Sequence, residues 1–175
     1  IKVHYKVCNL GTDTMPFSIG AHPAFNVPLA EGLMFEDYQL DVHFDEAQML
    51  PVFQYPLTTD GLLITNGEHP LEHQHNTILL HHDLFKADAL VYQDIKGGVE
   101  IRLSSSQSKR SVTVRYKNFP YLGIWNKYQS DFVCIEPWCG ITDYENSNQQ
   151  IMDKVGIIAL NGQSAWENVW YIQID

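Results

Sequence analysis

Period-two alternation is the strongest constraint on what this chain folds into. In residues 1–8, IKVHYKVC, Ile1, Val3, Tyr5 and Val7 face one way and Lys2, His4 and Lys6 the other. Residues 38–44, YQLDVHF, repeat the pattern, with Tyr38, Leu40, Val42 and Phe44 opposed to Asp41 and His43. Such segments fit strands with one buried face. Further strands are expected at 15–19, 88–93, 98–103, 111–117, 121–125, 131–136, 156–160 and 169–174, separated by Gly, Pro, Asn and Asp turn residues. No stretch of a dozen residues carries a capped 3.6-residue period, and there is no βαβ rhythm. The expectation is an all-β chain folded as an antiparallel β-sandwich. Turn chemistry at residues 9–13 predicts that segments 1–8 and 15–19 form a hairpin, which delivers the chain to Gly20-Ala21-His22-Pro23.

The 175 residues suffice for one domain, 1–175, with a substantial core. Acidic residues outnumber basic ones by 21 to 11, giving a net charge of -10. That balance argues against nucleic acid and anionic membrane as partners, since both demand a positive face. Cys8, Cys134 and Cys139 are odd in number and lack a shared spacing, so they read as reduced thiols of a cytoplasmic protein. No signal peptide or membrane span is apparent. A chain that opens at Ile1 inside a strand pattern predicts a segment ahead of it. Residues 66–83 and 142–153 read as long loops, of the kind that edge clefts.

Two segments carry residues suited to chemistry. In FSIGAHPAFNVP, residues 17–28, Pro23 restricts His22 to extended conformations, and Gly20 supplies either an unusual backbone angle or a close approach. His22 is thus expected on a rigid turn just past a strand, as a proton donor or acceptor or as a structural cap. In FPYLGIWNKYQSDFVCIEPWCGITD, residues 119–143, Glu136 follows an apolar run and precedes a Pro137-Trp138 turn. Partial desolvation there would raise its pKa and make it a better base. A surface glutamate at a strand end is the alternative, disfavoured by the neighbouring Trp125 and Trp138, whose indoles suit apolar sugar faces.

GAHPAFN, followed far downstream by CIEPWCGITD, resembles the aldose 1-epimerase (galactose mutarotase-like) superfamily, in its LacX-like branch, which also includes hexose-6-phosphate epimerases. FKADALVY at 85–92, FPYLGIW at 119–125 and KVGIIAL at 154–160 fit in the same order. The resemblance implies a β-sandwich of the galactose mutarotase-like (supersandwich) type and interconversion of the α and β anomers of a hexose or hexose 6-phosphate. It assigns His22 as acid and Glu136 as base. It matches Asp88 to a family aspartate that binds sugar hydroxyls, and it calls for no metal and no organic cofactor; Trp125, Trp138 and Asn26 are further expected sugar contacts. Relatives carry an N-terminal part, with an Arg and a further His near the sugar, ahead of the matching segment. The resemblance therefore implies the C-terminal majority of a family domain. Two alternatives stay open: a non-catalytic carbohydrate-binding domain on the same fold, and a partial domain whose sheet edges pair with a second copy as a homodimer.

Other candidates are weaker. His69, His73, His75, His81 and His82 crowd one region, and His73 with His75 would share a face of an extended segment, but no acidic or cysteine ligand completes a metal set. Ser104-Ser105-Ser106 lacks a nucleophile-elbow pattern. Asp143 suits a cleft wall or a turn, and Lys86 and Lys127 read as solvated cations.

Overall fold

The computed structural model describes residues 1–45, 53–54, 61–64, 69–70 and 76–175. His73 and His75 lie outside the described residues, as do the side chains of residues 53–54 and 69–70. The strands are β1 (Lys2–Asn9), β2 (Met15–Phe17), β3 (Ile19–Gly20), β4 (Ala24–Asn26), β5 (Gln39–Phe44), β6 (Phe53–Gln54), β7 (His69–Pro70) and β8 (Thr77–Leu79). They continue as β9 (Leu90–Tyr92), β10 (Gly98–Ser104), β11 (Val112–Lys117), β12 (Tyr121–Trp125), β13 (Phe132–Cys139), β14 (Ile158–Leu160) and β15 (Ser164–Ile174). Among the described residues the helical content is three 3-10 segments of three or four residues. No helix among them is long and apolar enough to cross a membrane.

One sheet has six strands in the order β1-β15-β11-β10-β5-β8. The second runs β3-β13-β12-β9, with β4 also paired to β13. Every pairing between named strands is antiparallel; a lone parallel bridge joins Leu63 to Tyr144. The two sheets share one apolar core. Leu40, Val42, Ile101, Leu103, Val112 and Val114 come from the first, and Leu90, Tyr92, Leu122, Ile124, Val133 and Ile135 from the second. The alternation seen in the sequence is the cause: on β5, Leu40 and Val42 are buried while Asp41 and His43 turn outward. Each such aliphatic side chain removed from water stabilises the fold by about 1.5–3 kcal/mol.

Two sequence expectations are corrected. Segments 1–8 and 15–19 do not form a hairpin: β1 pairs with β15, β2 with β14, and β3 with β13. The buried Asn9 explains this. Its Nδ2 donates to the Asp13 carbonyl at 2.8 Å and to the Leu160 carbonyl at 2.9 Å, which turns the chain onto β14 rather than back onto β1.

Nor does the strand end at Glu136 in a Pro-Trp turn; β13 continues to Cys139. Proline is tolerated there because of where its missing donor points. The Pro137 carbonyl accepts from Ala21 N–H at 3.0 Å, on the β3/β4 side. In an antiparallel strand the N–H and C=O of one residue point to the same side, so the absent donor faces the gap between β3 and β4 and removes no bond to β12.

Candidate active site

β13 is buried on both faces, and its two faces do different things. Odd-numbered residues, Val133 and Ile135, point into the sandwich core. Even-numbered residues, Cys134, Glu136 and Trp138, occupy the opposite face. The register completes that face: Trp125 lies across from Cys134, Gly123 across from Glu136, Tyr121 across from Trp138, and Gly20 pairs with Trp138 on the other side. A second, smaller apolar cluster floors it, made of Leu63, Ala89, Val91, Tyr121 and Ile141 with Trp125, Trp138 and Tyr144 packed against them.

His22 sits in the break between β3 and β4. Two backbone bonds pin the break to β13 on either side of Glu136: Ala21 N–H to the Pro137 carbonyl at 3.0 Å, and Ile135 N–H to the Pro23 carbonyl at 3.3 Å. The histidine is thereby held beside the carboxylate, with His22 Nδ1 2.5 Å from Glu136 Oε2. The partners differ sharply in environment: the His22 side chain is 63% exposed and that of Glu136 only 4%. Burial pushes the Glu136 carboxyl above the ordinary carboxylate range; contact with His22 and with the Trp138 N–H opposes the shift, and the Asp88 charge adds to it.

Trp138 lies flat on the sheet because two glycines leave it room. An added Cβ on Gly20 would come within 2.4 Å of Trp138 Cδ1, and one on Gly123 within 2.6 Å of Cζ2 and Cη2. Gly20 therefore serves close approach rather than an unusual backbone angle. The Trp138 Nε1–H donates to the Ala21 carbonyl at 3.1 Å, which ties the indole to the histidine turn. Trp125 packs on the other side, its ring centroid 5.6 Å from that of His22.

An open cavity of about 520 Å³ adjoins the pair, lined by Ser18, Gly20, His22, Trp138, Thr142 and Lys154 among others. At its rim Lys154 Nζ meets Asp143 Oδ1 at 2.6 Å.

The sequence-selected residues distribute as follows. His22, Glu136, Trp125 and Trp138 come together. Asp88 lies close enough to act electrostatically on Glu136, with its backbone in the left-handed region at φ 74°. Asn26 is exposed and pairs with Phe132 at the far end of β4, on the same face as His22 but about 13 Å along the strand. Lys86 is taken up by an ion pair with Asp83, and His82 stacks on Phe35.

Sequence reasoning missed Gly123, Asn126 and the Lys154–Asp143 pair. A glycine inside a strand marks a close approach and was a usable signal for Gly123. Asn126, fully buried, donates through Nδ2 to the Ser130 carbonyl at 2.8 Å and to the Phe132 carbonyl, shaping the turn between β12 and β13. Among the described residues, the side chains able to ligate a metal that cluster here are His22, Cys134 and Glu136.

Comparison with known proteins agrees with this architecture. No protein-family model matches the sequence. The chromosomal LacX protein of Lactococcus lactis subsp. lactis is 36% identical over 151 residues, covering 85% of this chain and 49% of LacX. The galactose mutarotase related enzyme from Lactobacillus acidophilus superposes with a TM-score of 0.88 at 30% identity, over 99% of this chain and 57% of its own. A galactose mutarotase-like protein from Lactobacillus casei follows, with a TM-score of 0.83 and 26% identity, over 99% and 58%. The chain belongs to the galactose mutarotase-like (aldose 1-epimerase) superfamily. Within it, the sequence relatives found are the LacX proteins, and the chain spans about half the length of these curated relatives.

Proposed function

We propose that this chain carries the acid–base pair of an aldose 1-epimerase acting on a hexose or hexose 6-phosphate, with Glu136 as base and His22 as acid. The observation that carries the reading is the 2.5 Å contact between His22 Nδ1 and a deeply buried Glu136 carboxylate. In a cyclic aldose the anomeric hydroxyl and the ring oxygen are bonded to the same carbon. Ring opening takes a proton from the first and delivers one to the second, so acid and base must stand side by side.

Glu136 accepts the hydroxyl proton as the C1 carbonyl forms, and protonated His22 donates to the departing ring oxygen. The C1–C2 bond rotates and the ring closes on the other face of the carbonyl. Closure returns the proton from Glu136 to O1 and restores the proton of His22, so the pair ends as it began. The raised affinity of Glu136 for a proton suits a base, and the two indoles supply apolar surface against which a sugar ring stacks. Asp88 and Asn26 are proposed hydroxyl contacts.

Exchange spectroscopy by proton NMR with glucose, galactose and glucose 6-phosphate tests the proposal. Anomer exchange above the buffer rate, lost in His22→Ala and in Glu136→Ala, is expected. Exchange at the buffer rate for every sugar, together with quenching or enhancement of tryptophan fluorescence on sugar addition, would identify a binding domain instead.

A further inference from the structure

The pair has a third neighbour that the proton transfers do not use. Cys134 points to the same face of β13 as Glu136, two residues away, and its thiol is buried. One ligand-capable atom from each of His22, Cys134 and Glu136 lies within 4.8 Å of the others. We propose that these three side chains form a binding site for a borderline divalent cation, Zn²⁺ or Co²⁺, whose occupancy holds the acid–base pair out of action.

The donor set is a nitrogen, a sulfur and a carboxylate oxygen, the mixture that zinc and its cobalt substitute favour. Tetrahedral coordination sets neighbouring donors about 3.5 Å apart, given metal–ligand bonds of about 2.0–2.3 Å. His22 and Glu136, now 2.5 Å apart, must open to reach that spacing, and all three donor atoms already lie within 4.8 Å of one another. The exposed ring of His22 makes the opening feasible, since its side chain is the one member of the three that reaches solvent. Three protein ligands leave a fourth position for water or another small ligand.

Charge supports the assignment. Without a cation, a thiolate beside the Glu136 carboxylate would put two negative charges in a buried site. Binding of M²⁺ breaks the S–H bond, forms an S–M bond and releases the proton to solvent. With thiolate, carboxylate and neutral imidazole around a divalent ion, the site becomes neutral, and a coordinated thiol is deprotonated outright.

Metal binding stands apart from the epimerase reading; only the inhibition that follows rests on it. The test is a Co²⁺ titration of the protein under a non-thiol reductant, read by the thiolate-to-cobalt charge-transfer band in the near ultraviolet. Cobalt held by histidines elsewhere in the chain lacks that band. The expected result is a band that saturates at one equivalent, is displaced by Zn²⁺, survives Cys8→Ala and Cys139→Ala, and disappears in Cys134→Ala. His22→Ala should weaken cobalt binding by roughly tenfold or more. No thiolate band at saturating Co²⁺, or a band that survives Cys134→Ala, would overturn the proposal. Should Cys134→Ala fail to fold by circular dichroism, an unchanged affinity in His22→Ala overturns it instead. In the exchange assay, Zn²⁺ should abolish any catalysis and a chelator restore it. A protein that binds cobalt but never exchanges anomers refutes the enzyme reading and leaves the metal site standing.

Discussion

Gly123 stands directly across the β12–β13 ladder from Glu136, and the space its side chain would take is filled by the Trp138 indole. The carboxylate therefore has bare backbone as its cross-strand neighbour and an aromatic ring over that backbone. This relationship fixes how much of the sheet face remains for a substrate.

Gly123→Ala tests the packing. Replacing glycine within a strand usually gains about 0.4–1 kcal/mol through the unfolded chain. Here the new Cβ would meet Cζ2 and Cη2 of Trp138 at 2.6 Å, and overpacking of about 1–3 kcal/mol wins. The urea midpoint should fall below that of the wild type; a midpoint at or above it would mean that the indole moves freely.

Glu136→Gln removes the proposed base while keeping its shape. If Glu136 takes the anomeric proton, exchange should drop by roughly 10²–10⁴-fold with an unchanged circular dichroism spectrum. A rate within twofold of wild type would assign the proton transfer elsewhere.

The same substitution isolates a pH effect on stability. Folding raises the proton affinity of Glu136, chiefly through burial. Between its ordinary and its raised pKa the folded state binds more protons than the unfolded one, so this group's contribution is full below the ordinary carboxylate range and is lost as pH rises through the raised value. Thermal unfolding of wild type and Glu136→Gln, compared from acid to neutral pH, should show the glutamine variant gaining relative stability as pH increases. Parallel curves would contradict the direction of the shift.

Asn126→Ala should loosen the turn between β12 and β13. It deletes the donor to the Ser130 and Phe132 carbonyls inside a buried turn, a loss of about 1–3 kcal/mol where carbonyls are left unsatisfied. Trp125 packs against Phe132 with ring centroids 5.7 Å apart, so its fluorescence should shift along with the denaturation midpoint. A midpoint unchanged from wild type would mean that water replaces the side chain.

How much of this was legible beforehand depends on the range of the interaction. The strands β1, β5, β10 and β11 were readable because each alternates over six residues or more, with one face buried in β5, β10 and β11 and half-buried in β1. The partners of β1 and β2 were not readable. They lie roughly 140–170 residues away in β15 and β14, and nothing in the turn at Asn9 announces that its side chain bonds across to Leu160. His22 and Glu136 stood out through their motifs, and the structure puts them in contact. That Gly20 and Gly123 both clear space for one indole requires the register of three strands, which no local pattern contains. Asn26 was selected by its place in the same short motif as His22, yet extended backbone carries it down the sheet.

The two backbone bonds that flank His22 have a consequence for how such a protein diversifies. The spacing of His22 and Glu136 is inherited from a strand ladder, through Ala21 and Pro137 on one side and Pro23 and Ile135 on the other. The rim of the adjoining cavity comes instead from the segment that holds Thr142, Asp143 and Lys154. Under the proposed function, reaction geometry and substrate preference are thus written in separate parts of the chain. On that reading, insertions or exchanges in the rim would retune which sugar is accepted while the His22–Glu136 distance stays as the ladder sets it, an arrangement under which one chemistry could be carried to many substrates.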